Sequence, residues 1–206
     1  MLRLALIAAI SLCAGCASPT VESHYTAAGT DAAEIYGKFL DDWTGKEKDP
    51  VNVSISAKKP TAEELEELSD CADKSTKWLP TGSIDDLTNL VGNLSYVHLV
   101  DPNKWSALDP GKLIAQGKPV DSAVKSGFDH GLMTFSAVVF DSPHKTAAFM
   151  YSFSCGMLCG HGGIVTFRKE QDRWVKSKNE CGQWMSHVQG GRPNNSFKPT
   201  PLRGAA

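Results

Sequence analysis

From Gly131 onward the chain spells four strand-like runs whose connections are too short to cross a sheet. Leu132 to Asp141 (LMTFSAVVFD), Lys145 to Cys155 (KTAAFMYSFSC), Gly163 to Lys169 (GIVTFRK) and Trp174 to Met185 are rich in β-branched and aromatic residues. SPH, GMLCGH and EQDR join them. A parallel neighbour needs a crossover of about a dozen residues or more, so these four are expected as an antiparallel meander. Ala147, Phe149, Tyr151 and Phe153 alternate onto one face, which is expected to pack on helices.

The helices come first in the chain. Asp31 to Trp43 carries Ala33, Ile35, Tyr36, Phe39, Leu40 and Trp43 near helical period, with Asp31 as cap and Thr44-Gly45 as stop. Val51, Val53 and Ile55 alternate with polar residues and predict a half-buried strand that ends before Pro60. Thr61 and Glu64 form a capping box for a second helix through about Ala72. Ser83 to Asn93 reads as helical or irregular, Ser95 to Val100 as a strand, and Asp101 to Ser126 as a long loop with one helical turn. The fold class is therefore α+β: N-terminal helices packed on a C-terminal four-stranded antiparallel meander, one domain over residues 31–189.

The two ends carry other information. Arg3 precedes an apolar run, LALIAAISL, that is too short to span a bilayer, and LCAGC follows, ending at Cys16. This resembles the lipobox of bacterial lipoproteins, with Cys13 where leucine is usual. The resemblance implies a signal peptide at residues 1–15, lipid on the Cys16 thiol and a polar tether over 16–30. Ala17, where an Asp would signal retention, implies an anchor in the inner leaflet of the outer membrane with the domain facing the periplasm. An ordinary secretory leader cut near Ala14 or Ala17 is the alternative; both put the mature chain outside the cytosol. Residues 190–206 are expected to be disordered. Their PNNSFKPTPLRGAA string resembles the translated recombination site of an integron gene cassette. That resemblance removes Arg192, Lys198 and Arg203 from any binding argument. Taking these and Arg3 from the 21 basic residues leaves 17 against 23 acidic, a net charge of −6 on the body of the chain. Nucleic acid is not an expected partner for such a body.

The runs GLMTFSAVVF and AAFMYSFSCGMLCGHGGIVTF, with Trp174 and Trp184-Met185-Ser186, resemble a family of uncharacterised bacterial exported proteins whose ending carries a CG-x-LCG loop. The likeness covers roughly Gly131 to Ser186. It implies the meander and a loop position for Cys155 and Cys159, and no mechanism. His161 and Cys181 lie outside that pattern.

Four cysteines remain in the mature domain: Cys71, Cys155, Cys159 and Cys181. An even count in an oxidising compartment predicts two disulfides, with three connectivities open. Cys155–Cys159 with Cys71–Cys181 is the first choice, since Gly156 and Gly160 let a four-residue spacing turn back on itself. This reading needs no cofactor. A second reading starts from the register: if the last two strands pair across EQDR, Cys181 falls opposite His161 or Gly162. Cys155, Cys159, His161 and Cys181 would then form a Zn²⁺ site, or with Met157 a Cu(I) site, and the thiols alone a redox pair.

The remaining polar residues are weaker. His98 reads as a core or rim histidine, and His130 and His144 sit in turns. Asp41-Asp42 and Asp85-Asp86 read as solvated, and EELEEL as an acidic helix face. Ser136 and Ser186 lack a nucleophile elbow, and Gly162-Gly163 leads into a strand and so makes no phosphate cradle. Trp43, Trp78, Trp105, Trp174 and Trp184 read as core, with an aromatic groove for a glycan or peptide as the other possibility. The functional expectation is a non-catalytic binding module of the envelope, held to the membrane by its lipid, with a protein, peptide or glycan as partner. A soft-metal or thiol-redox protein is the alternative.

Overall fold

The computed structural model describes residues 21–156, 159–178 and 181–185. The signal peptide, Cys16, Met157, Ser186 and the tail over 190–206 lie outside the described residues. Five helices and eight strands follow one another: α1 (Val21–Thr44), β1 (Val51–Lys58), α2 (Ala62–Ala72), α3 (Thr88–Val91), β2 (Val97–Val100), α4 (Pro110–Ala115), α5 (Val120–Asp129), β3 (Leu132–Ser136), β4 (Val139–Phe140), β5 (Thr146–Ser154), β6 (Gly160–Glu170), β7 (Arg173–Lys176) and β8 (Cys181–Met185). No described helix is long and apolar enough to cross a membrane.

The α+β class holds, but the four-stranded meander does not. The strands form one mixed sheet ordered β2-β1-β3-β5-β6-β7, with β4 pairing β5 and β8 pairing β6. β1 enters the sheet parallel to both β2 and β3. The long connections between β1 and β2 and between β2 and β3 make this possible, since they hold the crossovers a parallel pair requires. Two expected strands are split. The Leu132–Asp141 run breaks at Ala137, whose amide bonds to the Lys58 carbonyl (2.8 Å or less, at 2.7 Å) instead of continuing along β5. The Trp174–Met185 run divides into β7 and β8, because β6 is eleven residues long and hosts both on the same side. The expected loop over 101–126 holds α4 and most of α5.

Helices cover both faces of the sheet. On one face α1 presents Ile35, Tyr36, Phe39 and Leu40, all buried, to Phe135, Phe149, Tyr151, Val165 and Phe167. The contact is largely aromatic: Phe39 meets Phe149 edge-on at 5.4 Å and Tyr36 stacks on Phe135 at 4.9 Å. Edge-to-face and offset pairs of this kind add about 0.5–1.5 kcal/mol each beyond the area they bury. The Tyr36 hydroxyl donates to the Ser136 carbonyl at 2.7 Å, and burial pushes its pKa up, so the phenol stays protonated. On the opposite face α2, capped by the reciprocal Thr61–Glu64 box, lays Leu68 against Val139, Ala148 and Ile164.

One polar clamp ties α1 to the sheet. Asp31 Oδ2 lies 2.6 Å from His144 Nε2 and 3.2 Å from Lys169 Nζ, and Glu34 accepts the Trp174 backbone N–H at 3.1 Å. Desolvation pushes the Asp31 pKa up, but His144, the Trp174 indole and Lys169 outweigh it and hold the carboxyl below its ordinary value. The buried indole N–H has no hydrogen-bond partner of ordinary geometry among the described residues. α1 begins at Val21 rather than at Asp31, inside the expected tether.

A carboxylate with a lowered folded pKa adds stability that is fully present above its unfolded value, about 3.9, and is lost as pH falls through the folded value. Asp31→Asn should therefore cost about 1–2 kcal/mol at pH 7. It should also flatten the rise in stability between about pH 3 and 5. Urea midpoints across that range check this; parallel profiles for variant and parent would refute it.

Candidate functional site: an aromatic cleft beside the cysteine loop

The structure holds two disulfides, and the sheet separates them. Cys155 and Cys159, with Cα atoms 5.0 Å apart, close the loop between β5 and β6 on the α1 face. The Cys155 amide donates to the Cys159 carbonyl at 2.8 Å, and Gly156 turns the chain at a φ of +131°. Cys155 is only 1% exposed. Cys71 and Cys181, 5.9 Å apart, join α2 to β8 on the other face, beside Leu65, Trp78 and Met150.

The proposed Cys155, Cys159, His161 and Cys181 metal set is not brought together. Continuing the β6–β7 register would set Cys181 opposite Gly162, but the chain between β7 and β8 takes up extra residues and places it opposite Ile164. A bulge at Gly182, φ +60°, then sets Met185 opposite His161. His161 shares a face with Phe153 and Tyr151, and Cys181 turns to the α2 side. Among the described residues no three His, Cys, Asp or Glu side chains converge as metal ligands.

What the loop does position is a cleft. On the α1 face β6 presents His161, Gly163, Val165 and Phe167 in turn. Glycine at 163 leaves one place in this row without a side chain, and its neighbours fill it: a Cβ there would meet Gln183 Cγ at 3.3 Å, and the Cys181 carbonyl oxygen and Tyr151 Cε1 at 3.4 Å. The cavity is about 490 Å³, with Phe39, Asp42 and Trp43 of α1 on one side, Tyr151, His161 and Gly162 below, and Lys176, Gln183 and Met185 on the other.

The cleft has a stacked wall and a charged rim. His161 lies flat against Trp43, with ring centroids 4.8 Å apart and planes 19° from parallel, and meets Tyr151 edge-on at 5.9 Å. Lys176 Nζ sits 3.5 Å from Asp42 Oδ2 and 5.6 Å from the Phe39 ring centroid. Trp184 reaches the same cavity, and its indole lies over Gly160 and Gly162. A Cβ at Gly162 would strike the Tyr151 carbonyl oxygen and the Trp184 indole, so glycine is required there by close approach of backbone.

The other candidates have structural partners or lie away from the cleft. His98 is exposed on β2, and His130 Nε2 donates to the Ser106 carbonyl, 3.1 Å away, while stacking on Trp105. Ser136 Oγ accepts the Met150 amide at 2.9 Å. Asp86 accepts the Thr88 amide, and Asp41 accepts from Lys48 at 2.6 Å and Tyr96 at 2.5 Å, which holds its carboxyl below the usual range, Lys48 contributing most. Of the five tryptophans, Trp174 is core, Trp78 donates to Ser69, Trp105 donates to the His130 carbonyl, and Trp43 and Trp184 line the cleft. Sequence reasoning missed Asp42, Lys176, Gln183 and Met185 as lining residues.

No protein-family model, curated protein or solved structure matches this chain.

The two disulfides should contribute unequally. Cys71–Cys181 closes a separation of 110 residues, and its removal as the paired alanine variant should cost about 4–5 kcal/mol; Cys155–Cys159 closes four, and its removal should cost about 2. Urea unfolding of the two double variants decides this, and equal losses would contradict the loop-closure argument. The glycines make a second pair. Gly162→Ala should cost about 1–3 kcal/mol, whereas Gly163→Ala should stay within about 1 kcal/mol of the parent. A well-tolerated Gly162→Ala would show that the Trp184 contact is loose.

Proposed function

We propose that this chain is a lipid-anchored binding module of the bacterial cell envelope, presenting the α1–β8 cleft to a ligand from the inner leaflet of the outer membrane. The observation that carries the binding role is the cavity between α1 and β8, bordered by aromatic rings and rimmed by Asp42, Lys176 and Gln183. Pockets of a few hundred cubic ångströms that combine apolar walls with a few polar groups are the usual form of a small-ligand site. The ionic groups at the rim are paired with each other, and His161 is stacked on Trp43; this arrangement supports holding a ligand over transferring a proton to one. The anchor rests on the leader and the LCAGC string, and the two disulfides agree with an oxidising compartment.

The cysteine loop acts here as scaffold. Its Cys155 is buried in the core, where an incoming thiolate has poor access, and the bridge sets the start of β6 so that His161 meets Trp43. Two measurements test the reading. Labelled palmitate should enter the parent chain and be lost with Cys16→Ala, which should move the protein to the periplasmic fraction; an unlabelled parent chain overturns the anchor. A melting-temperature screen against envelope fragments (oligosaccharides, short peptides, lipid headgroups) should show a rise for the parent that Trp43→Ala reduces. A rise unchanged by Trp43→Ala, or none with any fragment, overturns the cleft as the binding site.

A further inference from the structure

The cleft's lining is selective in a way that narrows the ligand, provided the binding reading above holds. Its walls are mostly planar rings and its rim is polar, and among the described residues that line it there is no valine, leucine or isoleucine, Met185 being its one aliphatic side chain. The exposed Leu79, Ile114, Val120, Val124 and Val175 all lie outside that lining. A site for an apolar peptide segment is built differently, from branched aliphatic pockets that each take one side chain. Rings bordered by hydrogen-bonding groups suit a ligand with one apolar face and a polar edge. A pyranose is such a ligand: its axial C–H groups present an apolar face to an aromatic ring, and its equatorial hydroxyls point outward in the ring plane.

The charges point the same way. Asp42 and Lys176 stand 3.5 Å apart at the rim, so the cleft offers an acceptor and a donor with little net charge. A phosphorylated or carboxylated ligand would want an excess of cations, preferably the bidentate fork of an arginine, and among the described residues no arginine lines this cavity. Gln183 adds both a carbonyl acceptor and an amide donor. Vicinal hydroxyls, each donor and acceptor at once, match that set. We infer that the cleft between α1 and β8 binds a neutral pyranose oligosaccharide, with a sugar ring seated against the Trp43–His161–Tyr151 wall and its hydroxyls meeting Asp42, Lys176 and Gln183.

A glycan array of neutral and amino-sugar oligosaccharides, followed by saturation-transfer NMR with the strongest binder and with chitotriose, tests this on the mature disulfide-bonded chain. Saturation should pass from the protein to pyranose ring protons. Trp43→Ala should weaken binding by about two- to tenfold, the range one aromatic contact is worth. Lys176→Ala and Asp42→Asn should each weaken it with the fold intact. Urea midpoints of the variants separate a lost contact from a lost fold, and Trp43→Phe, which keeps a ring there, should retain part of the affinity. No oligosaccharide bound by the folded parent, while a peptide or headgroup binds and is weakened by Trp43→Ala, would overturn the glycan assignment and leave the binding module standing. Absence of binding by every probe would overturn both.

Discussion

The aromatic packing of α1 on β5 and β6 is the contact on which the rest of this domain depends. Tyr36 and Phe39 reach across to Phe135, Phe149 and Tyr151, and these rings fix both where the helix lies and how far along the sheet it runs. Trp43 continues the same ridge by one turn. There Trp43 stacks on His161, and the opening lined by Phe39, Trp43 and Tyr151 begins. The cleft thus lies at the end of the packed ridge, walled by the same rings that hold α1 to the sheet.

The fate of the cysteines follows from the same geometry. A β-strand sends successive side chains to opposite faces, so closeness in register does not mean closeness of sulfur. Cys155 and His161 belong to the α1 face, while Cys181 joins Cys71 beneath α2. In sequence Cys155, Cys159, His161 and Cys181 fall close together around one loop, and only the sheet between them shows that Cys181 serves the other half of the core. One bridge shapes the entry to β6; the other fastens α2 and the final strand to the body of the domain.

What was legible in the chain tracks how local the determinants are. The 3.6-residue spacing of Ile35, Tyr36, Phe39, Leu40 and Trp43, the Thr61–Glu64 box and the alternation from Ala147 to Phe153 each involve neighbours in sequence, and each element formed as read, with α1 also extending further back. The placing of β1 was not legible. Val51, Val53 and Ile55 announce a strand, but whether it lies at an edge or between two parallel partners is decided by crossovers closed dozens of residues away. The separation of β7 from β8 depends on how much of β6 is left to pair, which no local pattern records. Trp43 and Trp184 were visible as candidates for an aromatic groove, yet which other side chains stand around it is decided by the register of β8 on β6.

The length of α1 has a mechanical side. Its 24 residues rise about 36 Å, with Val21 at one end and the Asp42–Trp43 wall of the cleft near the other. If the chain is held at Cys16, that helix is a rod between the point of attachment and the mouth of the site. A rod transmits orientation as well as distance, so tilting the anchor would swing the cleft through an arc on the order of the domain's own width. The helix that supplies the core would then also set how far from the bilayer, and at what angle, a ligand is met.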